Sequence, residues 1–273
     1  MLTLQERLHR AQNSAGDELW QVVRDSHPEV ILQASLNRNL SEEMAAFIAK
    51  NRNAPSEALG LIAGDVRFRD SYKLKLLICR NPRTPQRVVF ALLKFLRIFD
   101  LGEMTRDQTI PIAVRQKIEQ LLAEKIPALP SGVKIALARR SSSAVVIQLL
   151  ERGDRHVVSS CLESPAITES LLCSTIHKPT ARPVVIRAIS EHQKWSLRYN
   201  IRYALIINFH TPMAHVVRFI PEMKTNDLRE LYVLESVPNS TKPYIFSELK
   251  DRGESVEISS CTRHEIGDED LGD

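Results

Sequence analysis

Apolar residues recur along this chain at helical spacing, in short runs separated by corners rich in proline. The clearest case is the stretch from Tyr72 to Phe99. Its first run ends at the corner 81–85, because proline cannot continue a helix and disfavours helical geometry at the residue before it. A second run, with apolar residues three and four positions apart, extends from Val88 to Leu96. The pattern therefore predicts two helices joined by the corner Asn-Pro-Arg-Thr-Pro.

Two residues of this corner have the properties that begin a helix. Thr84 can accept hydrogen bonds from the first backbone N–H groups of the second helix, and Pro85 suits its first position. A looser copy of the stretch follows at Tyr199 to Met223, with Thr211-Pro212 in the same place. Ser41, which precedes two glutamates, is the cap that we predict for an earlier helix.

Corners of this kind are spread over most of the chain. They lie near residues 55, 85, 111, 143, 165, 183, 212 and 238, and the gaps between them are 18 to 32 residues. Such spacing is typical of helical solenoids, and no run shows the alternation of a strand. We predict an all-α fold, a superhelical stack of short antiparallel helix pairs. Residues 1–29 are expected to cap it, 30–249 to form the repeats, and 250–273 to be an acidic, disordered tail.

The corner Asn-Pro-x-Thr-Pro, with a basic residue six positions before the asparagine, resembles the HEAT-like and variant leucine-rich repeat families of α-solenoids. Lys75 precedes the first corner and Arg202 the second, where Phe209 replaces a proline. Lys134 precedes a third corner, which lacks both prolines. The resemblance implies a curved stack of helix pairs over about residues 30–249, with a binding or scaffolding role. It implies no activity, because one fold hosts many functions.

Composition and charge narrow the class of protein. Apolar residues make up 43% and charged residues 26%, and nine glycines are too few for glycine-rich nucleotide loops. The net charge is +4, but residues 251–273 hold eight acidic and two basic residues, which leaves +10 on the rest. A basic body favours an acidic partner or another anionic one, unless the tail merely shields the body.

The cysteines and the N-terminus bear on the compartment. Four cysteines without a CxxC pair are expected to be free thiols in a reducing environment. The charged N-terminus lacks an apolar signal core, and no apolar run has the length of a membrane span. We therefore expect a cytoplasmic protein with no membrane association.

One helix, predicted from Lys194 to Ile207, combines aromatic and guanidinium side chains. Its residues Trp195, Arg198, Tyr199 and Arg202 are three and four positions apart, which suits a partner-binding face. The same groups could stack on bases and pair with phosphates. The structural alternative is that the two aromatic residues pack on the neighbouring repeat while both arginines are solvated.

Basic residues form a second candidate surface. Lys75, Lys134 and Arg202 would align in one column if the repeats stack in register, and such a column could follow a nucleic-acid backbone. The alternative is that lysines and arginines near helix C-termini simply complement the helix dipole.

No catalytic motif is visible: the sequence contains no GxSxG, HExxH or Walker loop. One set of residues has ligand types that zinc accepts, namely His156, Cys161, Cys173 and His177. The set lacks the close paired spacing of structural zinc sites, and its cysteines lie among apolar residues. We predict no metal, no cofactor and no catalytic residue.

These observations favour a non-catalytic scaffold for protein–protein interaction, built on helical repeats and binding a protein partner. The alternative is a nucleic-acid-binding HEAT-like protein, including a DNA-repair enzyme of the glycosylase type. The residues that we expect to bind the partner are Trp195, Arg198, Tyr199, Arg202, Lys75 and Lys134.

Overall fold

A computed structural model describes residues 3–254 of the chain. These residues form eighteen α-helices joined by turns, with no strand among them, so the predicted all-α fold class is confirmed. The first nine helices are α1 (Leu4–Asn13), α2 (Gly16–Val23), α3 (Pro28–Leu36), α4 (Glu42–Lys50), α5 (Ser56–Gly64), α6 (Tyr72–Arg80), α7 (Gln86–Leu93), α8 (Ile98–Arg106) and α9 (Ile112–Lys125). The other nine are α10 (Ser131–Arg140), α11 (Ser143–Arg152), α12 (Arg155–Leu162), α13 (Glu169–Ile176), α14 (Pro183–Glu191), α15 (Tyr199–Ile207), α16 (Met213–Phe219), α17 (Thr225–Val233) and α18 (Lys242–Asp251).

The helices belong to two compact units, of which unit 1 ends at Ile167 and unit 2 begins at Thr168. In unit 1, α8 packs on α10 and α10 on α12, while α7 and α11 pack on α9. In unit 2, α13 packs on α15, and α17 packs on α18. Contacts with the next helix and with the one after it are those of stacked helical repeats.

The chain contains the same set of nine helices twice, and 127 residues separate each position from its counterpart. Glu42 and Glu169 begin α4 and α13, and Tyr72 and Tyr199 begin α6 and α15. The helices α1 to α9 thus correspond in order to α10 to α18, and the copy predicted from Tyr199 to Met223 is one part of a longer repeat. The second copy starts in unit 1 and continues in unit 2.

Corner side chains repeat their hydrogen bonds from one copy to the other. The Asn81 amide donates to the carbonyl oxygens of Ala49 (2.8 Å) and Asn51 (2.9 Å). Its counterpart Asn208 donates to the Ile176 carbonyl at 2.7 Å. The last carbonyls of a helix have no partner within the helix. These asparagines therefore join the end of one helix to the end of its neighbour in the stack.

The prediction that Thr84 caps the second helix of the corner is wrong. Pro85 is the N-cap and the helix begins at Gln86, so Thr84 lies one residue too early to cap it. The Thr84 hydroxyl instead donates to the Ile78 carbonyl at 2.6 Å, at the end of the preceding helix. The predicted cap at Ser41 is confirmed, because its hydroxyl oxygen accepts the N–H of Met44 at 3.2 Å.

Helix α8 was not predicted, although it connects the two copies. A Cβ atom on its Gly102 would lie 2.7 Å from Ser141 Oγ and 2.9 Å from Leu137 Cδ2, so glycine lets α10 approach closely. The counterpart of Gly102 in α17 is Arg229, which pairs with Glu254. A long charged side chain at this position is incompatible with an equally close neighbour.

The helices continue past the predicted start of the tail at residue 250. Helix α18 extends to Asp251, and Arg252 donates to the Met223 carbonyl at 2.9 Å. The rest of the predicted tail, residues 255–273, lies outside the described residues. Between residues 3 and 254, none of the helices combines the length and apolar character that a membrane crossing requires.

Candidate binding groove

Trp195 does not lie on an exposed helix face. The predicted helix Lys194–Ile207 begins only at Tyr199, and Trp195 belongs to the preceding turn. Its side chain is 3% exposed. The counterpart of Trp195 in the first copy is Phe68, which is also buried. The sequence pattern was misleading because Trp195, a buried aromatic residue, lies just before the start of a helix and so follows that helix's spacing.

Arg202 and Tyr199 also make internal contacts. Arg202 is 8% exposed, donates to the Ser196 carbonyl at 2.7 Å, and pairs with Glu222. The Tyr199 hydroxyl donates to the Asp227 carboxylate. Of the four residues predicted on this face, Arg198 alone is exposed. Trp195 is therefore buried and Tyr199 half-buried, whereas Arg202 is not solvated as the structural alternative expected.

The predicted basic column is not a row of exposed charges. Lys75 and Lys134 are half-buried in unit 1, and Arg202 is buried in unit 2. Two corner arginines, Arg80 and Arg140, pair with Glu103 at 3.1 Å and 3.5 Å. Glu103 therefore competes for the two guanidinium groups that would otherwise bind the phosphates of a nucleic acid.

The cysteines behave as buried apolar groups. Cys79 and Cys161 are buried, and Cys173 is half-buried with its pKa raised chiefly by desolvation. The His177 ring bonds to the Cys173 carbonyl rather than its sulfur. Within residues 3–254, no three His, Cys, Asp or Glu side chains lie close enough together to hold a metal ion. Cys261 lies outside the described residues.

Burial of Cys79 and Cys161 predicts loss of stability in alkali. Burial raises the pKa of both thiols to about 12. An unfolded thiol loses its proton above about pH 8.5, whereas the folded protein keeps it, so the free energy of unfolding falls as pH rises. The slope approaches about 1.4 kcal/mol per pH unit for each thiol. Denaturant titrations from neutral to alkaline pH should show this fall, and replacing both cysteines by alanine should make it shallower; an equal slope contradicts the prediction.

The first copy has an open groove where α5, α6 and α7 meet, which we call the α5–α7 groove. Its volume is about 600 Å³. Its apolar lining includes Ile62, Phe68, Leu74, Ile78, Leu92 and Phe95. Two large apolar side chains at its mouth face solvent, since Val66 is 80% exposed and Phe95 is 54% exposed. Together with the apolar floor, these two side chains form an apolar surface that another molecule could cover.

Basic side chains surround this groove. Lys75 Nζ lies 5.1 Å and Lys94 Nζ lies 5.0 Å from the ring centroid of Phe95. Residues 66–97 contain nine basic residues and one acidic residue, and the counterpart stretch 193–224 contains five and one. Asp65 lines the groove too, but it is paired with Arg67 at 2.6 Å, which lowers the pKa of its carboxyl. The groove therefore combines an apolar floor with the basic groups of Arg69, Lys75 and Lys94 and with the carboxylates of Asp65 and Asp70.

In the second copy, the positions that correspond to Lys75 and Phe95 pair with each other within the chain. The counterparts of Lys75 and Phe95 are Arg202 and Glu222, which form an ion pair. Among residues 3–254, by contrast, Lys75 has no carboxylate partner and lies only over the Phe95 ring. The first copy thus keeps the cation and lacks the internal carboxylate, so a ligand carboxylate could take its place.

Sequence reasoning found Lys75 but missed the groove. Phe95 falls within the predicted helical run from Val88 to Leu96, whereas the helix in the structure ends at Leu93. Its exposure could not be recognised without knowing where that helix ends. Comparison of the chain with protein-family models, with curated proteins and with solved structures gave no match.

Proposed function

We propose that the protein is a non-catalytic interaction scaffold whose α5–α7 groove binds an acidic segment of a partner protein that carries an apolar anchor. The observation that carries this proposal is the contrast between the copies. Arg202 pairs with Glu222 within the chain, whereas Lys75 lies over an exposed Phe95. In a partner that presents an apolar side chain next to a carboxylate, the carboxylate would pair with Lys75 as Glu222 pairs with Arg202, and the apolar side chain would contact Phe95.

The chemistry of the groove favours a protein segment over a nucleic acid. An apolar floor can bury a leucine or an isoleucine, at about 25 cal/mol for each Å² of apolar surface removed from water. Single strands need successive aromatic platforms for stacking, and the groove mouth offers Phe95 alone. Free thiols at Cys79, Cys161 and Cys173 are consistent with a cytoplasmic location.

Charge reversal at Lys75 tests this function. A short fluorescein-labelled peptide of alternating Leu and Glu should bind the full chain in an anisotropy titration. Lys75→Glu should weaken binding about tenfold, which corresponds to about 1.4 kcal/mol. The matched control is Lys125→Glu, which reverses the same charge on an exposed lysine that does not line the groove.

The same titration distinguishes the nucleic-acid alternative. A single-stranded oligonucleotide should bind weakly, and any binding should fall steeply with added salt, because it depends on released counterions. Peptide binding should persist in salt because part of it comes from apolar burial. Tight oligonucleotide binding, lost with Lys75→Glu, would instead support the nucleic-acid function and contradict this proposal.

A further inference from the structure

The α5–α7 groove contains a carboxylate that has no basic partner among the described residues. Four charged residues line the groove: Asp65 is paired with Arg67, and Arg69 and Lys75 are cations. The fourth, Asp70, is exposed, and within residues 3–254 its side chain forms no ion pair or hydrogen bond. It is also the one acidic residue in the basic stretch 66–97. The groove therefore offers a ligand a free negative group as well as cations.

Asp70 and Lys75 are held apart along the groove. Asp70 comes directly before Ser71, the residue that caps α6, and Lys75 is the fourth residue of that helix. Five positions at about 1.5 Å each separate them by roughly 7 Å along the helix axis. The two side chains do not pair with each other, although both line the same groove. Opposite charges at this separation suit two different side chains of one bound segment.

Comparison of the two copies shows an exchange of residue types at these positions. The first copy has an acidic residue at Asp70 and an apolar one at Phe95, whereas the counterparts are apolar Leu197 and acidic Glu222. In the second copy, the acidic residue pairs with Arg202. In the first copy, the acidic residue is at the other position, where it leaves Lys75 without a carboxylate and is itself unpaired among the described residues.

We infer that the partner segment carries a basic residue that pairs with Asp70, in addition to the apolar anchor and the carboxylate of the proposed function, on which this inference rests. The ligand of the groove is thus a segment of mixed charge. A basic side chain beside Asp70 meets an opposite charge, whereas a carboxylate in the same place meets a like charge. Asp70 therefore selects the mixed segment over a purely acidic one.

The test uses labelled peptides of alternating Leu and Glu in which one terminal residue is Glu, Gln or Lys. One series varies the first residue and a second series varies the last, so that either direction of binding is covered. Each peptide is titrated with the full chain by anisotropy at one ionic strength. In one series, affinity should increase from Glu to Gln to Lys, with about threefold between Gln and Lys, as for an exposed ion pair. Attraction to the net positive charge alone gives the opposite order in both series.

Substitution of Asp70 identifies the group responsible for this order. Asp70→Asn should abolish the preference for Lys over Gln, because the carboxylate that favours lysine is gone. The matched control is Asp17→Asn, which removes the same charge from an exposed aspartate of unit 1 that does not line the groove. This control should keep the wild-type preference.

Two results would overturn the inference. One is that lysine is preferred in neither series, and the other is that Asp70→Asn and Asp17→Asn affect the preference equally. Both leave the proposed function intact, because the parent Leu-Glu peptide is still bound and still depends on Lys75. If none of the peptides binds the wild-type chain, the proposed function itself fails, and the inference fails with it.

Discussion

Trp195→Ala is expected to lower the free energy of unfolding by about 3–5 kcal/mol, as for other buried aromatic residues truncated to alanine. The Trp195 side chain is buried in unit 2, where the Lys194 ammonium lies 4.2 Å from its ring centroid. Its removal leaves a cavity that the surrounding residues can fill only in part. Chemical denaturation followed by circular dichroism would measure the change.

A neighbouring residue provides the control for this experiment. Leu197 is two positions away and 68% exposed, so Leu197→Ala should change the free energy of unfolding by less than about 0.5 kcal/mol. If Trp195→Ala leaves stability unchanged and instead removes partner binding, Trp195 is a surface contact and the fold described for unit 2 is wrong.

Phe95→Ser is expected to weaken binding of the acidic Leu-Glu peptide by about 30-fold to 1,000-fold, or about 2–4 kcal/mol, as for aromatic hot spots at interfaces. Phe95 is half-exposed at the groove mouth and carries two lysine ammonium groups over its ring. Its removal deprives a ligand of its apolar contact and frees both lysines from their aromatic neighbour. Because the ring is exposed, stability should change by less than about 1 kcal/mol.

Phe90→Ser is the matched control for this substitution. Phe90 lies on α7 and is also partly exposed, but it does not line the groove. The same change of side chain should therefore leave the Kd of the peptide within about twofold, well under the 1.4 kcal/mol of a tenfold change. Equal losses for Phe90→Ser and Phe95→Ser would show that the peptide binds by general surface hydrophobicity rather than in the groove.

Much of the fold could be predicted from the sequence because proline and apolar spacing act locally. The corner at 81–85, the cap at Ser41 and the register between Tyr72 and Tyr199 all follow from such signals. The full duplication could not be predicted, because corresponding positions of the two copies are often buried in both but seldom hold the same amino acid. Ala34 and Cys161 are counterparts, for example, and both are completely buried.

The candidate site was harder to predict than the fold. Trp195 and Arg202 have the residue types of a binding surface, yet both are buried. For Arg202, the ion-pair partner Glu222 lies 20 positions away, so the periodicity of the helix does not reveal it. Lys75 differs from Arg202 chiefly in its neighbour: Phe95 lies beside Lys75, whereas the counterpart position 222 beside Arg202 is a glutamate. Periodicity alone does not show which of these two basic residues has a carboxylate partner within the chain.

We propose that the first copy binds an acidic segment at the position where Arg202 and Glu222 pair with each other in the second copy. Photo-crosslinking tests this binding, with a photoreactive phenylalanine placed at Val66, which lines the groove, in one chain and at its exposed counterpart Gln193 in another. The labelled Leu-Glu peptide should crosslink strongly at position 66, and excess unlabelled peptide should prevent this. Crosslinking at position 193 should be at background level. Equal crosslinking at both positions, or crosslinking at 193 alone, would contradict the proposal.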